Sequence, residues 1–217
     1  MRMPLKRQGT ISHYPGTVNT QNVQEKGPTM AADRLHVAII LGSVREGRFG
    51  PTVANWFVSR AETRDDMAID FIDLADLDHP RNMTGNTDTQ SFTARIGAAD
   101  AFVIITPEYN HSYPGPLKTA LDSVGKEWRG KVAGFVSYGG ISGGLRAVEP
   151  LRVVFAELHA ATIRETVSFH GARGQFDADG NPINAEVVNT AAAVMLNQLA
   201  WWARALHDAR AARPYGE

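Results

Sequence analysis

Five short apolar runs, several rich in β-branched residues, are each followed by a stretch of helical periodicity. This alternation restricts the chain to one class of fold. The runs lie at residues 37–41, 69–74, 101–105, 132–137 and 161–169. Helical spacing follows each of them: Val53, Trp56 and Phe57; a segment capped by Thr87 or Asp88 and ending near Ala98; a segment from Leu117; the series Leu145, Val148, Leu151, Val154, Phe155 and Leu158; and a long stretch from Asn184 to about Ala211. Strands that alternate with helices form a parallel sheet covered on both faces. The 101–105 run is apolar at every position, as a strand buried on both sides must be.

Five strands suit a doubly wound α/β sheet of the flavodoxin-like kind, with order 2-1-3-4-5. In such sheets ligands gather outside the carboxyl ends of the strands, beside strand 1. The unusual loops of this chain follow strands 1, 3 and 4, which places all three on one edge of the sheet.

The first loop runs from Gly42 and carries Ser43, Arg45 and Arg48 before an apolar helix. Loop N–H groups and a helix N-terminus meet there, a setting made for an anion, and two arginines with a hydroxyl indicate a phosphate. The loop nearly matches a P-loop, with Gly42, four residues and Gly47, but Arg48 and Phe49 replace the required Lys and Ser or Thr. Phe49 cannot ligate magnesium. Val44 breaks the G-x-G-x-x-G spacing as well, although Asp73 ends strand 2 where a ribose-binding acid would stand. A phosphomonoester therefore fits better than a pyrophosphate. The loops after strands 3 and 4 add Tyr109 and Tyr138 as flat surfaces, Pro107 and Pro114 as stiffeners, and glycines that let backbone approach a planar ligand. Phosphate at one end and a planar heteroaromatic at the other describe flavin mononucleotide, FMN.

Composition removes other classes. The net charge of −1 gives no bulk attraction to nucleic acid or to a membrane surface. Cysteine is absent, which excludes disulfides, thiolate metal sites, iron–sulfur clusters and a cysteine nucleophile. No apolar run nears the ~20 residues that span a bilayer. Residues 1–33 are poor in apolar side chains and read as a flexible arm ahead of one FMN-binding domain at 34–217; Met30-Ala31-Ala32 also resembles a chain start. A cytoplasmic location is the default expectation.

Residues 42–48 (GSVREGR), 107–110 (PEYN) with 114–122 (PGPLKTALD), and 143–147 (GGLRA) resemble the NADPH-dependent FMN reductases. That group includes quinone, azo-dye and chromate reductases. The resemblance covers about residues 35–168 in order and spacing, and its most specific part is P-E-Y-N followed by P-G and L-K. It implies a flavodoxin-like fold, bound FMN, NADPH or NADH as co-substrate, a small-molecule electron acceptor such as a quinone, and a homodimer or homotetramer with flavins near the interface. It maps the phosphate to Ser43, Arg45 and the Arg48-Phe49-Gly50 turn. The isoalloxazine maps to Pro107, Glu108, Tyr109 and Asn110, closed over by Tyr138, Gly139, Gly140 and Ser142. Many members carry Ser at Arg48 and Asn at Gly50. Arg48 is thus open to three readings: a phosphate contact, solvent, or the phosphate of the nicotinamide donor.

The expected activity is ping-pong transfer of hydride from NAD(P)H through FMN to a quinone or similar acceptor, with no catalytic triad and no metal. Two alternatives use the same cofactor: a flavodoxin-type electron carrier, and a flavin-binding regulator without turnover. Such carriers are strongly acidic for docking on basic partners, which a net charge of −1 does not provide. His111 stands at the tip of the second loop as an exposed residue or an acceptor contact. Lys118 and Asp122, at i and i+4, form a surface pair. Of the adjacent Trp201 and Trp202, one is expected in the core and one outside.

Overall fold

The computed structural model describes residues 34–78 and 85–216; the expected arm at 1–33 lies outside the described residues, as does part of the loop between the second strand and second helix. The chain order is β1 (Leu35–Leu41), α1 (Gly50–Ala61), β2 (Met67–Asp73), α2 (Thr87–Ala98), β3 (Ala101–Pro107), α3 (Gly115–Asp122), β4 (Val132–Gly139), α4 (Leu145–Glu157), β5 (Ala161–His170) and α5 (Ala185–Ala212). All pairings are parallel, and the strand order is β2-β1-β3-β4-β5, as the alternation predicts.

Side chains of β1 divide by the two-residue pleat. Val37, Ile39 and Leu41 pack with Val53 and Phe57 of α1 and with Met195, Leu196 and Leu199 of α5. Ala38 and Ile40 face the opposite layer, where Phe92 and Ile96 of α2, Leu117 and Leu121 of α3, and Leu151 and Phe155 of α4 cover them. Both faces of the central strands are dry, which is why β1 and β3 read as continuous apolar runs.

Element boundaries shift for identifiable reasons. The cap of α2 is Asn86, not Thr87 or Asp88: its side chain accepts from Thr89 N–H at 2.8 Å, and the Thr89 hydroxyl accepts from Asn86 N–H at 3.3 Å. That reciprocal box leaves the next two residues inside the helix. Helix α3 begins at Gly115 and not at Leu117, because Pro116 falls in the first turn, where a missing N–H costs no hydrogen bond. Strands β3 and β4 run further than expected, through Pro107 and Gly139, because their ladder continues with Pro107 opposite Tyr138. The expectation for the tryptophan pair fails. Trp201 is 65% and Trp202 39% exposed; the buried face of α5 consists of Ala192, Met195, Leu196, Leu199, Ala200 and Ala203, and neither tryptophan falls on it. Lys118 and Asp122 do form the expected exposed pair, at 2.6 Å.

The outer strand β5 is irregular. Ala133 pairs with Thr162, but Phe135 pairs with Thr166, so extra residues bulge from β5. Side chains from the two helix layers take up the freed backbone groups. Arg152 of α4 donates to the carbonyls of Ile163 (2.6 Å) and Arg164 (3.2 Å), and Glu165 N–H donates to Gln198 of α5 (2.9 Å).

Lys131, just ahead of β4, is buried. Its Nζ donates to the carbonyls of Ile96 (2.7 Å) and Gly97 (2.9 Å), near the end of α2. Burial, helped by the nearby charge of Arg210, lowers its pKa to about 8 from 10.5. Between those two values the unfolded chain binds more protons than the folded one, so stability rises with pH through that window. Lys131→Met is expected to abolish this rise. In urea unfolding at pH 7 and pH 10, the wild type should gain midpoint relative to the variant at the higher pH; parallel profiles would refute the assignment.

Candidate active site

The carboxyl ends of the strands carry a cleft of about 540 Å³. It is lined by Arg45, Glu46, Gly47, Arg48 and Phe49 from the loop after β1, by Pro107, Glu108 and Tyr109 at the end of β3, and by Tyr138, Gly139 and Gly140 at the end of β4. A fourth segment, Gly171, Ala172 and Arg173 after β5, completes the lining.

The first loop is pinned at its root, where Gly42 N–H donates to the Ile105 carbonyl at 2.8 Å. Ser43 is fully buried beneath the cleft, and its hydroxyl oxygen accepts from the Tyr138 hydroxyl at 3.2 Å. Gly50 opens α1 in the same crowded spot: a Cβ there would lie 2.4 Å from Ser43 Oγ and 2.7 Å from Tyr138 Oη. Glycine is therefore required for the loop to seat against β4. Phe49, the residue before the helix, provides no side-chain cap. Pro51 has no N–H and the Thr52 N–H donates to the Phe49 carbonyl at 3.1 Å, so α1 offers the cleft mainly the positive end of its dipole.

The arginines differ in state. Arg45 lies with its guanidinium 3.8 Å from the Tyr109 ring centroid and makes no ion pair among the described residues. Arg48 is held. Its Nη1 donates to Asp73 Oδ1 at 2.7 Å and to the Ser43 carbonyl, and its Nη2 donates to Asp73 Oδ2 at 2.5 Å. The hydrogen bonds to Asp73 raise the arginine pKa still further, so its charge is constant. Arg48 accordingly is not directed into solvent.

In the second loop Tyr109 and Ser112 exchange backbone hydrogen bonds of 2.8 and 3.2 Å. Asn110 and His111 between them have φ of +50° and +73°, the signature of a tight hairpin turn of the primed kind. Both are exposed at its tip, off the cleft lining. Tyr109 is thereby fixed as a wall.

Glu108 is no free acid. It accepts from the Ser142 hydroxyl and, at 3.2 Å, from Arg146 N–H in the first turn of α4; the Arg146 guanidinium lies 3.7 Å away. Its own N–H donates to the Tyr138 carbonyl at 3.0 Å. Glu108 therefore ties the second loop to the third, and Ser142 serves that tie from outside the lining. Tyr138 is buried, which pushes its phenol pKa up and keeps it a hydrogen-bond donor at any working pH.

The fourth segment was not anticipated. Gly171 N–H donates to the Gly140 carbonyl at 2.9 Å, joining it to the third loop, and Arg173 sits 5.4 Å from the Phe49 ring centroid. The rule that ligands gather at the carboxyl edge applies equally to β5. A glycine with a nearby arginine just past that strand was the available signal.

The donor set fits a phosphate-bearing planar group. The lining combines the cations Arg45, Arg48 and Arg173 with Tyr109, Pro107, Phe49 and two glycines, and the volume lies in the ~300–1,000 Å³ range of small-ligand sites.

A family model described as NADPH-dependent FMN reductase matches residues 35–174. The chain is 37% identical over 119 residues to an NAD(P)H-dependent FMN reductase of Schizosaccharomyces pombe, a match spanning 50% of this chain and only 60% of that protein. It is 33% identical over 176 residues to an NAD(P)H:quinone oxidoreductase of Solanum tuberosum, covering 75% of this chain and 90% of that one. Among solved structures, a flavoenzyme NAD(P)H:(acceptor) oxidoreductase of Paracoccus denitrificans superposes with a TM-score of 0.62 at 23% identity, over 78% of this chain and 98% of that one. That last likeness supports the fold alone.

Proposed function

The chain belongs to the NADPH-dependent FMN reductase family, and on that footing we propose that it is an NAD(P)H-dependent oxidoreductase that reduces quinones or similar small acceptors. One observation carries the reading. Arg45 and Arg48, from the loop that leads into α1, line the same cleft as Tyr109, Tyr138, Gly139 and Gly140. Bound FMN supplies the redox chemistry there: hydride acceptance from NAD(P)H and delivery of electrons to the acceptor. The residues of the chain hold, orient and shield. Arg45 and Arg48 hold the phosphate, Tyr109 and Pro107 flank the ring, and Glu108 keeps the second and third loops in register. Donor and acceptor reach one cleft and so enter in turn, which is ping-pong order. The homodimer or homotetramer that the resemblance implies, and a cytoplasmic location, stand with this proposal.

The test is steady-state oxidation of NADPH and of NADH by the purified, FMN-loaded protein, with and without menadione. Turnover with parallel double-reciprocal lines is expected. No turnover with either donor would leave a carrier or a regulator instead. In the same preparations Arg45→Ala should retain FMN about tenfold less tightly than Glu46→Ala, since only the first removes a charge-assisted phosphate partner. Equal occupancy in the two variants would remove Arg45 from the phosphate site.

A further inference from the structure

Asp73 ends β2 and stands opposite Leu41 in the β1–β2 register. Dinucleotide sheets place an acid there for a ribose diol. Here the carboxylate is committed to the protein. Its Oδ1 accepts from Arg48 Nη1 at 2.7 Å and from Ala75 N–H at 3.0 Å, and its Oδ2 accepts from Arg48 Nη2 at 2.5 Å. Both side chains are mostly buried, 15% and 14% exposed.

A guanidinium has five N–H donors in a rigid plane. Three of those of Arg48 are spent: both on Nη1, to Asp73 and the Ser43 carbonyl, and one on Nη2. The two left over, Nε–H and the second Nη2–H, lie along a single edge of the plane. They have no partner among the described residues, and Arg48 lines the cleft. Two parallel donors on one edge are the arrangement that grips a phosphate bidentately.

The geometry points to Asp73 as a positioning residue that locks the plane of Arg48, so that its remaining edge meets the phosphate of the cofactor. This rests on the FMN reading above and assigns a role to an acid outside the three loops. The carboxylate supplies no attraction; its charge opposes that of the phosphate. What it provides is order. An arginine already held in place gives up less freedom on binding than a mobile one. The rule that an acid at the tip of strand 2 reads a ribose is thereby replaced: here the acid reads an arginine, and the arginine reads the phosphate.

The experiment compares FMN with riboflavin, which lacks the phosphate, by quenching of flavin fluorescence on the full-length chain stripped of flavin. The ratio of the two dissociation constants isolates the phosphate, because general loosening of the cleft weakens both flavins alike. Wild type should favour FMN strongly. Asp73→Asn, which keeps the bond to Ala75 N–H but turns a donor toward Arg48, should lower the preference about tenfold, the worth of one charge-assisted hydrogen bond, with riboflavin binding unchanged. Arg48→Lys, which keeps charge without the fork, should act similarly and serves if Asp73→Asn folds poorly. The double variant Arg48→Ala/Asp73→Asn should match Arg48→Ala alone. An unchanged or increased preference in Asp73→Asn, or additive losses in the double variant, would overturn the inference. Wild type that binds neither flavin would instead overturn the FMN reading on which it rests.

Discussion

Gly144→Ala is expected to destabilise the fold by about 3–5 kcal/mol and to weaken flavin binding with it. Gly144 precedes α4 with φ +90° and ψ 3°, a conformation costly for any residue with a Cβ. A Cβ built there would stand 2.6 Å from Ser137 Cβ and 2.7 Å from the backbone nitrogen of Tyr138. Neither neighbour can yield, since both belong to the buried ladder of β4. The loop would have to move as a unit. Moving it would pull Ser142 and the α4 N-terminus away from Glu108, so the damage reaches the cleft. Gly140→Ala is the matched control: nothing lies within 4 Å of its Cβ position and its φ is not positive. Its unfolding free energy from urea titration should stay within about 1 kcal/mol of wild type. Equal midpoints for the two variants would refute this account of the third loop.

The second large effect lies far from the cleft. Trp128 is fully buried, with its ring centroid 4.7 Å from that of Phe102 and 5.6 Å from that of Phe155. Its indole N–H donates to the Leu121 carbonyl at 3.3 Å. Trp128→Ala would leave a cavity between α2, α3 and α4 and remove one of the donors to that carbonyl, which keeps the Val124 N–H at 3.5 Å, for a loss of about 3–5 kcal/mol. Trp201→Ala removes a side chain that is 65% exposed and should shift stability by no more than about 0.5 kcal/mol. Denaturant midpoints for the pair decide the matter. A large loss at Trp201 in dilute solution would mean that its face is covered there.

The strand order and the position of the cleft were legible because they follow from periodicity and from the rule for parallel sheets, which act on whole segments. The loops after β1, β3 and β4 were legible because their glycines, prolines and arginines are locally conspicuous. What stayed hidden is pairwise and distant. Arg48 and Asp73 are both conspicuous, yet their pairing requires β2 to lie beside β1 in one particular register. Glu108 reads as an acid near a ring until the α4 N-terminus is brought to it. Arg173 belongs to a polar stretch just past β5, and the glycine two residues before it is a sign that surface turns share, so the lining it completes shows only in the fold. The tryptophan pair failed for a different reason. Helical geometry guarantees that adjacent residues point apart, but not that either meets the sheet, and the buried stripe of α5 bypasses both.

The bulge in β5 bears on how copies of this protein can meet. An outermost strand with regular, open backbone groups is a template on which a foreign strand can polymerise. In β5 the regular spacing is broken, and Arg152 and Gln198 already occupy backbone groups in the irregular stretch. A strand added along this side would therefore lose its ladder over residues 163–165, which works against growth of the sheet into a neighbouring molecule.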